Sequence, residues 1–137
     1  MNILLVEDNG ILATLFGVQL RQLGDHTLTI ASNKATAMTA FDQQVFDLIF
    51  LDMGLEGYPD GGLQVLAEIK GRRPHQRVGI LSSNDLRDMV RLSQKAGAEF
   101  YMVKPFTLEG IAVVLAGEKE AMRSYVSGID EGRIIAF

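Results

Sequence analysis

Leu48-Ile49-Phe50-Leu51-Asp52 is a run of four apolar side chains closed by a carboxylate. The run is short and apolar at odd and even positions alike, so it reads as a strand covered on both faces, as in a parallel sheet. Three other stretches have the same form. Ile3-Leu4-Leu5-Val6 is followed at once by Glu7-Asp8, Val78-Gly79-Ile80-Leu81 by Ser82-Ser83, and Phe100-Tyr101-Met102-Val103 by Lys104-Pro105. Leu28-Thr29-Ile30-Ala31 alternates instead, which suits a strand at a sheet edge.

Helical periodicity fills the gaps between these runs. Asn9 is placed to cap a helix with Leu12, Leu15, Phe16 and Leu23 on one stripe, and Asn33 a shorter one with Ala37, Met38 and Phe41. Leu63, Val65, Leu66 and Ile69 give a third. Leu86, Met89, Val90 and Ser93 give a fourth that stops at Gly97. Thr107 caps a fifth carrying Leu108, Ile111, Ala112 and Leu115. Strict strand–helix alternation predicts βαβ units, hence an α/β three-layer sandwich with a five-stranded parallel sheet. Met122, Tyr125 and Val126 continue the last stripe, so that helix is expected to extend to about residue 127, with Gly128 as its first stop. The pattern assigns residues 1–117 to the domain and 118–137 to a helical extension and tail; Ile129–Phe137 has no readable element.

The chain's 137 residues accommodate one core, and 47% hydrophobic against 22% charged residues is a globular balance. A net charge of −4 with scattered Lys and Arg argues against nucleic acid as a direct partner. Cysteine is absent, which removes disulfides, thiolate chemistry and Cys-based zinc sites. Nothing approaches the ~20 apolar residues of a membrane span, and the start resembles no signal peptide, so the expected location is the cytoplasm, away from membranes. His26 and His75 stand alone, without metal-ligand spacing, and read as surface or structural residues.

The chemistry lies at the strand ends. Open parallel sheets bind ligands at the carboxyl edge, where four strands here deliver Glu7-Asp8, Asp52, Ser82 and Lys104. Crowded carboxylates repel unless a cation neutralises them, and a hard divalent ion is the natural partner. Lys104 can hold a phosphoryl oxygen and Ser82 can donate to another, while an Asp carboxylate can itself be a nucleophile. Taken singly, each residue has a plainer explanation. Asp8 can be a helix cap, Asp52 a turn residue, Ser82 a loop hydroxyl, Lys104 a surface amine and Tyr101 a core aromatic. It is their convergence on one edge that points to phosphoryl chemistry.

In this order, Glu7-Asp8, Asp52, Ser82, Tyr101 and Lys104-Pro105 resemble the response-regulator receiver domain of two-component signalling, from about residue 2 to 117. The resemblance implies a flavodoxin-like (βα)5 fold with strand order 2-1-3-4-5. It implies Asp52 as phospho-acceptor, Asp8 as a direct Mg2+ ligand, Glu7 as a ligand through water, and the Gly54 carbonyl as a further ligand, with Mn2+ a possible substitute. Ser82 and Tyr101 match the family's switch pair, Lys104 its phosphate-binding lysine, and Lys104–Pro105 its cis peptide. The implied partners are a sensor histidine kinase or phosphotransfer protein, an unidentified downstream protein, and a second copy in a phosphorylation-dependent homodimer through the helix 4, strand 5 and helix 5 face. The implied role is signalling, with self-phosphorylation and self-dephosphorylation but no conventional enzyme activity.

The chain departs from the family in the loop after Asp52. It looks one residue longer than usual, carries Glu56 where proline is frequent, and holds Gly54, Gly57, Gly61 and Gly62, which predict mobility. Three other functions compete. An Asp-nucleophile phosphatase would carry a second Asp at position 54. A flavodoxin-like cofactor binder would have a phosphate-cradling loop in place of Glu7-Asp8. A degenerate receiver, acting as a phosphate-independent docking module, would lack one of the key residues, and none is missing.

Overall fold

The computed structural model describes residues 1–125 and 132–137. Five parallel strands, β1 (Asn2–Val6), β2 (Thr27–Ala31), β3 (Leu48–Asp52), β4 (Val78–Ser82) and β5 (Phe100–Val103), stand in the order β2-β1-β3-β4-β5. Helices α1 (Gly10–Gln22), α2 (Lys34–Gln43), α3 (Gly61–Arg72), α4 (Arg87–Lys95) and α5 (Leu108–Ala116) join and cover them. The sheet separates two apolar layers. Phe41, Leu66 and Tyr101 lie in one, and Phe16, Phe50 and Phe100 in the other. Edge-on contacts link Phe16 to Phe50 and Phe50 to Phe100, at ring-centroid distances of 4.9 and 5.7 Å. Gly79 makes room for this layer: a Cβ there would sit 2.0 Å from the Phe100 ring.

Polar atoms at the helix starts do the expected work. The Asn9 carboxamide accepts from the amides of Ile11 and Leu12, Asn33 from Thr36, and Thr107 from Gly110. The α1 stripe differs from the periodicity-based expectation, because Ala13, Phe16 and Leu20 face the core while Leu15 joins Ile11 and Val18 in solvent. In α4 only Ser93 is fully buried, and Leu86 precedes the helix, exposed.

Two expectations for the C-terminal part need correction. The last long helix does not run on to about residue 127. Gly117 adopts a left-handed φ of 73° and ends α5, and the Arg77 guanidinium donates to the freed carbonyls of Val114 and Leu115. A short separate helix, α6 (Lys119–Ser124), follows and buries Met122. Val126 and Gly128 lie outside the described residues.

The second correction concerns the strand count. Among the described residues the sheet has six strands, because β6 (Ile134–Ala136) pairs antiparallel with β5, Ile135 opposite Tyr101. Three residues alternating between the two apolar layers are too short a run to show periodicity. Only an open β5 edge gives them a place. Among the described residues no helix is long and apolar enough to cross a membrane.

Candidate functional site

The charged candidates and Ser82 stand at the carboxyl ends of strands, so the parallel sheet gathers them without help from long loops, while Tyr101 lies within β5 and Gly54 in the loop after β3. Glu7 and Asp8 follow β1, Asp52 closes β3, Ser82 closes β4 and Lys104 follows β5. They line a cleft of about 500 Å3 together with Asn9, Leu12, Met53, Gly54, Asn84 and Met89. One oxygen from each of Glu7, Asp8 and Asp52 falls within 4.8 Å of the others.

Lys104 organises the acids. Its ammonium donates to Glu7 Oε2 at 2.8 Å and to Asp52 Oδ1 at 3.0 Å. The Lys104–Pro105 peptide that leads out of β5 is cis. The Glu7 amide hydrogen-bonds across the sheet to Ala31, and Glu7 Oε1 accepts from the Asn9 amide at 3.1 Å. Asp52 Oδ1 also accepts from the Gly54 amide at 3.3 Å.

Burial sets the electrostatics. Glu7 and Asp52 are nearly inaccessible, and desolvation pushes both carboxyls above the ordinary acidic range despite the ammonium beside them. Repulsion from Asp8 adds to the effect at Asp52. Burial alone would lower the Lys104 ammonium, but the hydrogen bonds and charges of Glu7 and Asp52 outweigh it and hold this pKa above the usual lysine value. One lysine thus offsets part of the charge of three acids. The donors that remain are hard oxygens, a set suited to Mg2+ or Mn2+ rather than to softer metals.

The loop after Asp52 contains a defined turn. Leu55–Gly57 forms a 3-10 turn, with Gly57 at φ 78° and Glu56 at φ 58°. Gly61 and Gly62 serve close packing: a Cβ on Gly62 would lie 2.4 Å from the Asp52 carbonyl oxygen. The Gly54 carbonyl, expected to face a metal, accepts from the Gly57 amide at 3.1 Å. The Glu56 amide donates to Asp8 Oδ2 at 3.1 Å. A backbone donor acting across a loop leaves no trace in a sequence, so this contact was not legible there.

Ser82 is buried, and its hydroxyl accepts from the Asn84 amide at 3.3 Å. Tyr101 is fully buried, and its hydroxyl donates to the Asn84 carbonyl at 2.8 Å. Burial pushes the Tyr101 phenol pKa upward. The aromatic therefore points inward in this structure.

Residues 3–116 match the family model described as the response regulator receiver domain. Among curated proteins, the alginate biosynthesis transcriptional regulatory protein AlgB of Pseudomonas putida is 35% identical over 118 residues, which are 86% of this chain and 26% of that protein. The probable transcriptional regulatory protein TcrX of Mycobacterium tuberculosis is 31% identical, across 96% of this chain and 54% of its own length. The chain thus spans about a quarter to a half of the length of these relatives. The solved receiver domain of NtrX from Brucella abortus is 27% identical and superposes with a TM-score of 0.76, over 90% of this chain and 99% of that one.

Proposed function

The chain belongs to the response regulator receiver-domain family, and we infer that it works as a phosphoryl acceptor with Asp52 as the residue modified. The observation that carries this reading is the placement of Asp52 in the cleft, with Lys104 on one oxygen, Glu7 and Asp8 beside it, and Ser82 across it. The donor is a phosphorylated histidine of a sensor kinase or phosphotransfer protein. A carboxylate oxygen of Asp52 attacks phosphorus, the P–N bond breaks as the P–O bond forms, and the imidazole nitrogen leaves with the bonding pair and takes up a proton.

Asp8, Asp52 and, through water, Glu7 would hold Mg2+, or Mn2+ in its place. The Gly54 carbonyl has one lone pair left for the same ion. When bound, the ion neutralises charge on the acids and on the incoming phosphoryl group. Lys104 exchanges part of its hold on Glu7 and Asp52 for a phosphoryl oxygen, and the Ser82 hydroxyl donates to another. Water entering the cleft later hydrolyses the acyl phosphate, which makes the domain a self-resetting switch rather than an enzyme acting on a separate substrate.

The donor protein approaches the open side of the cleft. Ile11, Leu15 and Val18 form an exposed apolar stripe on α1 directly beside it, suited to a helical partner. Output to a downstream protein, and any phosphorylation-dependent homodimer, would use α4, α5 and the β5 side of the sheet. There β6 already pairs with the β5 edge, so a second copy meets β6 and the two helices rather than β5 itself. The working location on this reading is the cytoplasm, with no membrane or nucleic-acid contact by this domain.

Incubation with acetyl phosphate and Mg2+ tests the reading. About one base-labile phosphoryl group per chain should appear, and chelating the metal should prevent uptake. Asp52→Asn should abolish it, because a neutral amide is a poor nucleophile; normal stoichiometry in that variant would overturn the assignment.

A further inference from the structure

The C-terminal strand touches the rim of the cleft. Strand β6 is held to β5 by ladder pairs from Phe100–Ala136 to Met102–Ile134, and by flanking bonds from the Val103 amide to the Arg133 carbonyl (2.8 Å) and from the Phe137 amide to the Glu99 carbonyl (3.0 Å). Ile135 and Phe137 pack into the apolar layer that contains Tyr101. Just before the strand, Arg133 forms an ion pair with Asp85 in the β4–α4 loop. Arg133 also shares a depression with Ser83, Asn84 and Lys104.

These contacts converge on one short segment. Asn84 receives the Tyr101 hydroxyl through its carbonyl and gives its amide to the Ser82 oxygen, and its neighbour Asp85 receives Arg133. The loop that closes the cleft on the Ser82 side is therefore fastened from behind by Tyr101 and from outside by the tail. An exposed ion pair by itself stabilises little. Here the β5–β6 ladder holds Arg133 beside the loop, and the buried Tyr101 hydroxyl holds the Asn84 carbonyl of the same loop from the other side.

We propose that docking of β6 on β5 and occupancy of the Asp52 cleft by a phosphoryl group are positively coupled, so that residues 132–137 act as a clamp that tightens when the cleft is filled. This rests on the acceptor reading above. Two physical effects act in the same direction. A phosphoryl group that takes a hydrogen bond from Ser82 orders the 83–86 loop, and a docked β6 orders the same loop from the other side, so whichever comes second meets a smaller entropy loss. A phosphoryl group also adds roughly −1.5 to −2 charges to the cleft, and the Arg133 cation, in the neighbouring depression that shares Ser83, Asn84 and Lys104 with the cleft, interacts favourably with it. Reciprocity requires that loss of the clamp weaken the cleft's hold on a phosphoryl group by the same factor by which filling the cleft stabilises the clamp.

The test uses the full chain and beryllium trifluoride with Mg2+ as the phosphoryl mimic. Affinity for the mimic is measured by calorimetry, and amide exchange at residues 100–103 and 134–136 by NMR or mass spectrometry. Amide exchange at 134–136 should slow when the mimic binds the unmodified chain. Arg133→Ala and Ile135→Asp should each weaken the mimic by about fivefold or more. Arg133→Ala alters only a surface side chain and keeps the test valid if Ile135→Asp unfolds the protein. Unchanged affinity in Arg133→Ala, together with unchanged exchange at 134–136, would overturn the coupling while leaving the acceptor reading intact. Failure of the unmodified chain to bind the mimic would instead overturn the acceptor reading and the coupling with it.

Discussion

At the scale of single residues, Asp52 occupies a position that costs the folded protein stability. Its carboxyl is buried beside two other acids, so its folded pKa lies above the ordinary carboxylate value. A carboxyl raised in this way favours the folded state at low pH. That contribution fades as pH climbs from the ordinary carboxylate value through the raised one, leaving a buried charge at neutrality that Lys104 offsets only in part. Glu7 behaves in the same sense. Asp52→Asn is therefore expected to raise the melting temperature of the metal-free protein at neutral pH, and to diminish the further rise that Mg2+ gives the unmodified chain. A lower metal-free melting temperature in the variant would show that the Lys104 pairing outweighs burial. Since the acids must be deprotonated to hold an ion, Mg2+ affinity should fall with decreasing pH, beginning above the ordinary carboxylate range. An affinity that stays flat until strongly acid pH, followed by calorimetry, would contradict the raised values.

At the scale of elements, close packing decides what the helices and loops do at the strand ends. Gly62, in the first turn of α3, lies against the carbonyl of Asp52, leaving no room for a Cβ. Gly62→Ala should push that strand end outward and weaken Mg2+ binding while the fold survives. Gly79→Ala instead forces a methyl into the Phe100 ring, an overpacking expected to cost about 1–3 kcal/mol in urea denaturation with metal affinity unchanged. If both variants matched the unmodified protein, these contacts would be softer than the packing implies. The sequence made the buried strands and three of the helix caps legible, because continuous apolar runs and Asn or Thr before a helical stripe have direct physical causes. It could not separate glycines that permit a turn, such as Gly57, from glycines that admit a neighbour, such as Gly62. Nor did it mark Gly117 as a helix stop, since that role depends on a left-handed backbone and on Arg77 arriving from β4's side of the molecule.

For the whole molecule, one topological fact organises the function. Parallel strands with short returns place Glu7, Asp8, Asp52, Ser82 and Lys104 on one edge although they span nearly a hundred positions of sequence. That convergence was readable because each polar residue directly follows an apolar run. The sixth strand was not, because Ile134–Ala136 becomes a strand only when β5 offers an edge to pair with. Its presence changes the face beside β5 from an open strand edge to a tail packed behind Tyr101 and tied to Asp85, and on the proposed reading this is the face offered to a downstream partner. The central claim remains the identity of the acceptor, and the most direct measurement locates the phosphoryl group chemically. The chain is phosphorylated with acetyl phosphate and Mg2+, reduced with borohydride, which converts an acyl phosphate of aspartate to homoserine, and digested for peptide mass mapping. Homoserine at position 52 and at no other aspartate is the predicted result. Homoserine at Asp8, or its absence from position 52 in a chain that has taken up phosphate, would contradict the account.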